Sequence, residues 1–369
     1  MDVTQIEAAI IATQYWYKYQ KEHERVNSKF IFVGDVHGDI NQFLLPLIDT
    51  GTITLTGKVS SIKQKYVELD IHIPEYSCNK CSTEIYYLGD LVDGFIYSRQ
   101  IVIMLANIMR QCKNVHLCFG NHEAKYIANL DPKSITLFTY EKHIESFRYL
   151  CSAYASLSLC RGKMIEQPGE DFLYEYYHPM LEAIKELWKM GEVMFYIETE
   201  LGPFVVSHTI TTTTALEDLG LEPKLSYKDL VNDINKAFKA KDTAYIGSNK
   251  LLWNRSDAKR VFPKQIVGHT IGGSFTFADD EESINPVPVR TNADRLKHCE
   301  PTNGVYYFDV GAAPNDLNLK FSMPDYFYIQ DGKMNVTNAN MLFLIWTGQT
   351  QLVEFDGKIN KKILNFYTI

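Results

Sequence analysis

The chain has 369 residues, enough to bury a large core, and its 46% apolar and 22% charged residues are the composition of a folded globular protein. Its 23 tyrosines and 20 phenylalanines exclude disorder over most of the length, and a net charge of -8 argues against a nucleic-acid-coating surface, so no nucleic-acid partner is expected. The start, Met1-Asp2-Val3-Thr4, has no basic region leading into an apolar core, and no run reaches the roughly 18 apolar residues that span a bilayer. An intracellular, cytoplasmic chain without membrane contact is expected, its seven scattered cysteines in a reducing compartment.

In chain order, Thr4 to about Glu24 reads as an amphipathic helix, with Ile6, Ile10, Ile11, Tyr15 and Tyr17 among its apolar positions. The apolar strand Phe30 to Val33 runs into Gly34-Asp35-Val36-His37-Gly38, and Asp39 to Ile48 follows as a helix closed by Gly51. Residues 52–83 interrupt the next expected strand. Alternation in Thr52 to Leu55 and Tyr66 to Ile73 predicts a β-hairpin there. This segment also holds Cys78-Asn79-Lys80-Cys81, which reads either as half of a zinc site completed by distant His298 and Cys299 or as two free thiols. The strand Glu84 to Leu88 delivers Gly89-Asp90-Leu91-Val92-Asp93, and a helix from about Ser98 to Gln111 follows. Val115 to Phe119 is the next strand and delivers Gly120-Asn121-His122-Glu123.

Residues 131–190 carry no strand pattern and are expected to form a helical cap, with helices near Glu141–Ser156 and Phe172–Met190. The chain then turns β-rich. A hairpin of Met194–Thr199 with Pro203–Val206 leads to Ser207-His208, and Gln265–Val267 leads to Gly268-His269. Ser226 to Lys239 is a helix with Ser226 as its N-cap. Further strands fall near Ser274–Phe277, Val305–Asp309, Tyr326–Ile329, Met341–Trp346 and Gln351–Phe355, and Glu281 to Pro301 reads as a polar surface loop. The expected fold class is α/β (α+β), with two mixed β-sheets packed as a sandwich flanked by helices. It is expected as a single domain over 1–369, with 52–83 and 131–190 as insertions.

Five apolar runs thus end in an Asp, Asn or His, and strand ends along one edge of a sheet can converge. Oxygen donors mixed with imidazoles suit divalent transition ions. The set predicts a two-metal phosphoester-cleaving site, with metals about 3.5–4 Å apart that clamp phosphate oxygens and acidify water. Asp90, central in the order, is the expected bridge. Asp35 and His37 can turn onto one metal, and Asn121, His208 and His269 onto the other. His122 is placed beside the leaving oxygen as a proton donor, with Asp93 orienting its imidazole.

Asp35-Val36-His37-Gly38, Gly89-Asp90-Leu91-Val92-Asp93, Gly120-Asn121-His122-Glu123, His208 and Gly268-His269 together resemble the calcineurin-like metallophosphoesterases. The full Gly120 to Glu123 motif, and Asp93 three residues after Asp90, are similar to the phosphoprotein phosphatase branch of that superfamily. The branch includes bacterial-type Ser/Thr phosphatases and diadenosine tetraphosphate hydrolases. The resemblance implies a β-sandwich flanked by helices and two divalent ions, manganese first and iron or zinc as alternatives. Two departures stand out. Gly94 and Phe119 occupy positions where the family commonly has arginines, so two guanidinium forks for a phosphate dianion are absent. Leu252-Trp253-Asn254-Arg255 resembles the segment of bacterial-type members whose arginine faces the site, so Arg255 is either the surviving phosphate contact or a surface residue in a basic run.

The first functional reading is therefore a metal-dependent phosphatase of phosphoserine and phosphothreonine proteins that uses a metal-activated hydroxide. A dinucleoside polyphosphate or nucleotide hydrolase is the second, with cap aromatics stacking a base. The third, of another class, is a non-catalytic metal-containing scaffold. The intact ligand set and His122 weigh against it, and the two absent arginines weigh for it.

Overall fold

The computed structural model describes residues 16–62, 71–92, 98–128, 170–242, 245–246, 249–254, 259–271, 276–278, 287–289, 299–309, 319–322, 325–337, 341–346, 349–354 and 363–364. The expected N-terminal helix is described as α1 over residues 16–22. Its Trp16 is fully buried, and the indole N–H donates to Asn41 Oδ1 at 2.7 Å. Gln20 clamps a strand edge, its amide bonding both the carbonyl (2.7 Å) and the N–H (2.9 Å) of Leu55.

Two mixed sheets make the centre. The first has five strands, β1 (Phe30–Val33), β4 (Glu84–Tyr87), β5 (Val115–Leu117), β13 (Phe327–Gln330) and β14 (Lys333–Val336), in the order β14-β13-β1-β4-β5. Here β1, β4 and β5 are parallel, while β13 pairs antiparallel with β1, setting Phe30 opposite Ile329. The second sheet has four strands, β6 (Met194–Thr199), β7 (Gly202–Ser207), β8 (Gln265–Ile271) and β11 (Val305–Asp309), in the order β11-β8-β7-β6.

Side chains alternate across a strand, so each sheet offers one face to its partner and one to helices. Phe30, Phe32, Tyr86 and Leu88 of the first sheet pack with Phe204, Val206, Ile266 and Phe308 of the second in one buried cluster. Phe308 stacks on Phe327 with centroids 3.9 Å apart, joining the two sheets. Ile31, Val33, Ile85 and Tyr87 turn the other way, into the helical layer of α2 (Ile40–Asp49), α3 (Ser98–Gln111) and α5 (Glu170–Met190). This is the flanked sandwich that the patterning predicts.

The helix α5 buries Met180, Leu181, Ala183, Ile184 and Leu187, a helical stripe that packs in the same cluster as Ile101, Leu105 and Ile108 of α3. The rest of the segment expected as a cap, 131–169, lies outside the described residues. A hairpin forms where one was expected, β2 (Ile53–Ile62) pairing with β3 (Ile71–Cys78) and Ile53 facing Cys78, but its second strand runs later than the expected Tyr66 to Ile73, of which residues 66–70 lie outside the described residues. Cys81 Sγ donates to Thr50 O (3.4 Å) and accepts from the Thr83 N–H (3.4 Å). Neither Cys78 nor Cys81 belongs to a described cluster of three metal-ligating groups, and Cys299 packs against the inter-sheet core. Inside the segment read as a polar loop, Val287–Val289 forms a short strand paired with Thr276–Ala278. No helix among the described residues is long and apolar enough to cross a membrane.

Candidate metal centre

Because β1, β4 and β5 run parallel, their three following loops lie along one edge of the first sheet. Asp35 and His37 leave β1, Asp90 leaves β4, and Asn121 and His122 open the helix α4 (Asn121–Ala128) after β5. From the facing sheet, His208 follows β7 and His269 lies on β8. The strand β8 was expected to stop at Val267. It continues to Ile271, with a register shift against β11 between Tyr307 and Asp309. Such an irregularity re-aims a side chain without ending the strand.

The loops are bolted to one another through backbone. The N–H groups of Val36 (3.1 Å) and His37 (2.6 Å) donate to Asp90 O, and that of Gly38 donates to Leu91 O (2.8 Å). Across the sandwich, His269 N–H donates to both Asp35 carboxylate oxygens (3.0 and 3.2 Å). The approach is close enough to demand glycine. A Cβ on Gly89, whose φ is +98°, would sit 2.6 Å from Gly120 N and 2.8 Å from His208 Nδ1. Of the six described non-glycine residues with positive φ, three are His37 (45°), Asp90 (49°) and His269 (60°). Left-handed backbone costs on the order of 1–3 kcal/mol per residue and gathers where function needs it.

The structure brings together seven of the nine residues singled out in the sequence. His208 Nδ1–H donates to Leu88 O (2.7 Å), since a carbonyl can only accept. That leaves Nε2 as a lone pair in the neutral ring, facing Asn121 Oδ1 (2.9 Å), His269 Nδ1 (3.1 Å) and Asp90 Oδ1 (3.4 Å). His37 repeats the arrangement. Its Nδ1–H donates to Val92 O (3.1 Å), and Nε2 faces Asp35 Oδ2 and Asp90 Oδ2, each at 3.8 Å. His122 lies at the rim, its Nε2 3.7 Å from Asp90 Oδ2 and its ring edge-on to His37. Asp93 and Arg255 lie outside the described residues, as does Gly94.

His208 Nε2, Asn121 Oδ1 and Asp90 Oδ1 are acceptors turned upon one another, which calls for positive charge between them. Two imidazole nitrogens, an amide oxygen and a carboxylate oxygen fit a divalent transition ion. Two groups, His37 with Asp90 and His122, and Asp90 with His208 and His269, are close enough to hold one. Burial pushes the Asp90 carboxyl up, but positive charge on His208, His122 and His37, the charge that an ion would otherwise supply, outweighs it and holds the group below the usual carboxylate range.

Glu123 has a part that the sequence reading did not assign. It is fully buried, and its oxygens accept from Gly120 N–H (3.0 Å), Asp90 N–H (3.0 Å) and Leu91 N–H (2.6 Å). One carboxylate thus ties the Asp90 loop to the start of α4. Burial and the Asp90 charge push it up to about 7. The available signal was a glutamate in the first turn of a helix, a position that reaches back to preceding N–H groups. Phe119, where an arginine was expected from the family, is fully buried and packs edge-on against Trp188 at 4.8 Å. That position faces the helical core.

The calcineurin-like phosphoesterase family pattern matches residues 28–281. The chain therefore belongs to the calcineurin-like phosphoesterases, and it is a metal-dependent hydrolase of phosphoric esters. No curated protein matches it in sequence. Among solved structures it is similar to a cold-active protein-tyrosine phosphatase of a psychrophilic Shewanella species, with 11% identity, a TM-score of 0.39, and coverage of 89% of this chain and 81% of that one. It is also similar to the phosphatase domain of the Legionella effector WipB, with 14% identity, a TM-score of 0.38, and coverage of 60% and 82%. A protein serine/threonine phosphatase from Saccharomyces cerevisiae has 13% identity, a TM-score of 0.37, and coverage of 89% and 87%.

Proposed function

We propose that the chain is a Ser/Thr-type protein phosphatase working with two divalent ions, manganese first and iron or zinc as alternatives. The carrying observation is that the two oxygens of Asp90 face different donor groups, Oδ1 toward His208 and Oδ2 toward His37 and His122. A carboxylate so divided suits a bridge. Asp35 and His37 would complete one site, and Asn121, His208 and His269 the other. Bound ions would supply Lewis-acid charge at the phosphoryl oxygens and lower the pKa of bound water.

The protein's own groups supply the rest. His122, half-buried at the rim, donates a proton to the leaving oxygen, and Asp93 holds its imidazole charged. Arg255 contacts the phosphoryl group, in place of the arginines absent at Gly94 and Phe119. A second reading, a dinucleoside polyphosphate or nucleotide hydrolase, is favoured by one observation. Trp253 is 39% exposed, and its ring stands edge-on to His269 at 6.4 Å, where a base could stack.

Turnover of a phosphothreonine peptide, a dinucleoside tetraphosphate and an aryl phosphate, after chelation and metal return, tests the reading. The highest kcat/KM is expected on the peptide. Preference for the dinucleotide would move the second reading ahead. Two bound metals with no turnover of any substrate would leave only a scaffold.

A further inference from the structure

Beside the candidate centre, Lys125 lies on α4 four residues after Asn121, on the same helix face and one turn, about 5.4 Å, farther along. Its ammonium sits 5.0 Å over the Trp253 ring, and that ring meets His269 edge-on, the planes at 86°. Trp253 closes the short helix Lys250–Trp253, which Asn249 caps by accepting the Leu252 N–H at 2.9 Å. The segment is fixed to the residues after His208. Thr209 Oγ1 donates to Leu251 O, and Asn254 Nδ2 donates to Ile210 O at 2.8 Å. The ring's exposure is therefore maintained by structure on both sides. Trp253 and Leu225 are the two exposed large apolar side chains among the described residues.

We propose that Lys125, perched on Trp253, reads a second anionic group of the substrate, next to the phosphoryl group that is cleaved. This rests on the phosphoester hydrolase reading and adds a specificity determinant to it. The ring restrains the lysine stem before substrate arrives, so less freedom is lost on binding. A lysine ammonium meets an anion without the planar geometry that a guanidinium needs. It stands off the centre by the width of an indole, which suits a neighbouring charge better than the scissile phosphate itself. Phe119 is turned into the core and supplies no charge from its side. The recognised chemistry is an anion flanking the reacting phosphate, either a carboxylate beside a phosphorylated residue or the next phosphate of a polyphosphate.

The test compares full-length wild type, Lys125→Met and Lys125→Arg. The probes are a phosphothreonine peptide flanked by glutamate, the same peptide with glutamine, a nucleoside triphosphate and an aryl phosphate. The wild type should favour glutamate over glutamine in kcat/KM by roughly 3- to 10-fold, between an exposed charge pair and a charge-assisted hydrogen bond. Lys125→Met should bring that ratio close to one and Lys125→Arg should retain it, and added salt should shrink it in the wild type. A selective loss on the triphosphate instead would identify polyphosphate as the source of the anion. Equal loss on every probe, or an unchanged ratio with no selective triphosphate loss, overturns the proposal. Calorimetric binding of the two peptides and the triphosphate gives the same ratios without turnover, so absence of catalysis counts against the hydrolase reading alone.

Discussion

Glu123 is not among the expected metal ligands, yet three backbone N–H groups of two loops end on it. Glu123→Gln keeps the size and replaces one acceptor oxygen with an amide that meets an N–H head-on. Metal affinity is expected to fall about 10- to 100-fold, the usual cost of losing a group that orients ligands, with the far-ultraviolet circular dichroism unchanged. A calorimetric titration at wild-type affinity would remove its positioning role. His122 answers to a different probe. His122→Asn should lower kcat by roughly 10²- to 10⁴-fold on a phosphothreonine peptide and much less on an aryl phosphate, whose leaving group needs little protonation. Equal losses on both would show that His122 does not deliver the proton. The ligand residues were legible because an Asp or His straight after an apolar run is a strong local pattern. The role of Glu123 was not, because its Asp90 and Leu91 partners lie more than thirty positions upstream and are backbone groups with no signature in sequence.

At the scale of elements, β1, β4, β5 and β7 were readable because each is a short apolar run ended by glycine or by the site residue itself. The strand β14 was missed since Lys333–Val336 is polar and gains its place by pairing with β13 at the sheet edge. The helix α6 (Thr213–Leu219) was missed too. It is only two turns long, and its N-cap Thr212 lies among four threonines that suggest a strand as readily as a cap. Phe119 shows how a motif position can change its partner. After β5 the chain turns so that its ring fills the space beside Trp188, where Gly191 leaves room: a Cβ there would lie 2.8 Å from the phenyl ring. Restoring the family's arginine by Phe119→Arg should therefore bury a charge and cost about 3 kcal/mol or more. Urea unfolding should show that loss, with no gain in phosphatase activity. A stable, more active variant would mean that the side chain can turn to the site.

Across the whole molecule, the late strands close on the early ones, a long-range pairing no local pattern could reveal. Ser28 Oγ donates to Ile329 O (2.7 Å), and the Gln42 amide bonds both the carbonyl (2.7 Å) and the N–H (2.8 Å) of Asp325. Beside them Tyr326 O–H donates to Asp49 Oδ2 at 2.8 Å, in a buried pocket at the end of α2. Burial pushes the Asp49 carboxyl up from 3.8 to about 6, against the opposing pull of the Tyr326 and Tyr19 hydroxyls. The folded state thus holds this proton more tightly than the unfolded chain. Its contribution to stability is full below the unfolded pKa and is lost as pH rises through the folded one. A shift of this size corresponds to about 3 kcal/mol between those limits. Asp49→Asn cannot ionise, so it should escape that loss. The stability of the variant relative to wild type, by urea unfolding, should rise between pH 4 and pH 7 by an amount on the order of 3 kcal/mol. Other carboxylates cancel in the difference, as long as they do not couple to Asp49. Parallel pH curves for the two proteins would mean that Asp49 is charged at low cost in the folded state, and that the closure of late strands on early ones is insensitive to its proton.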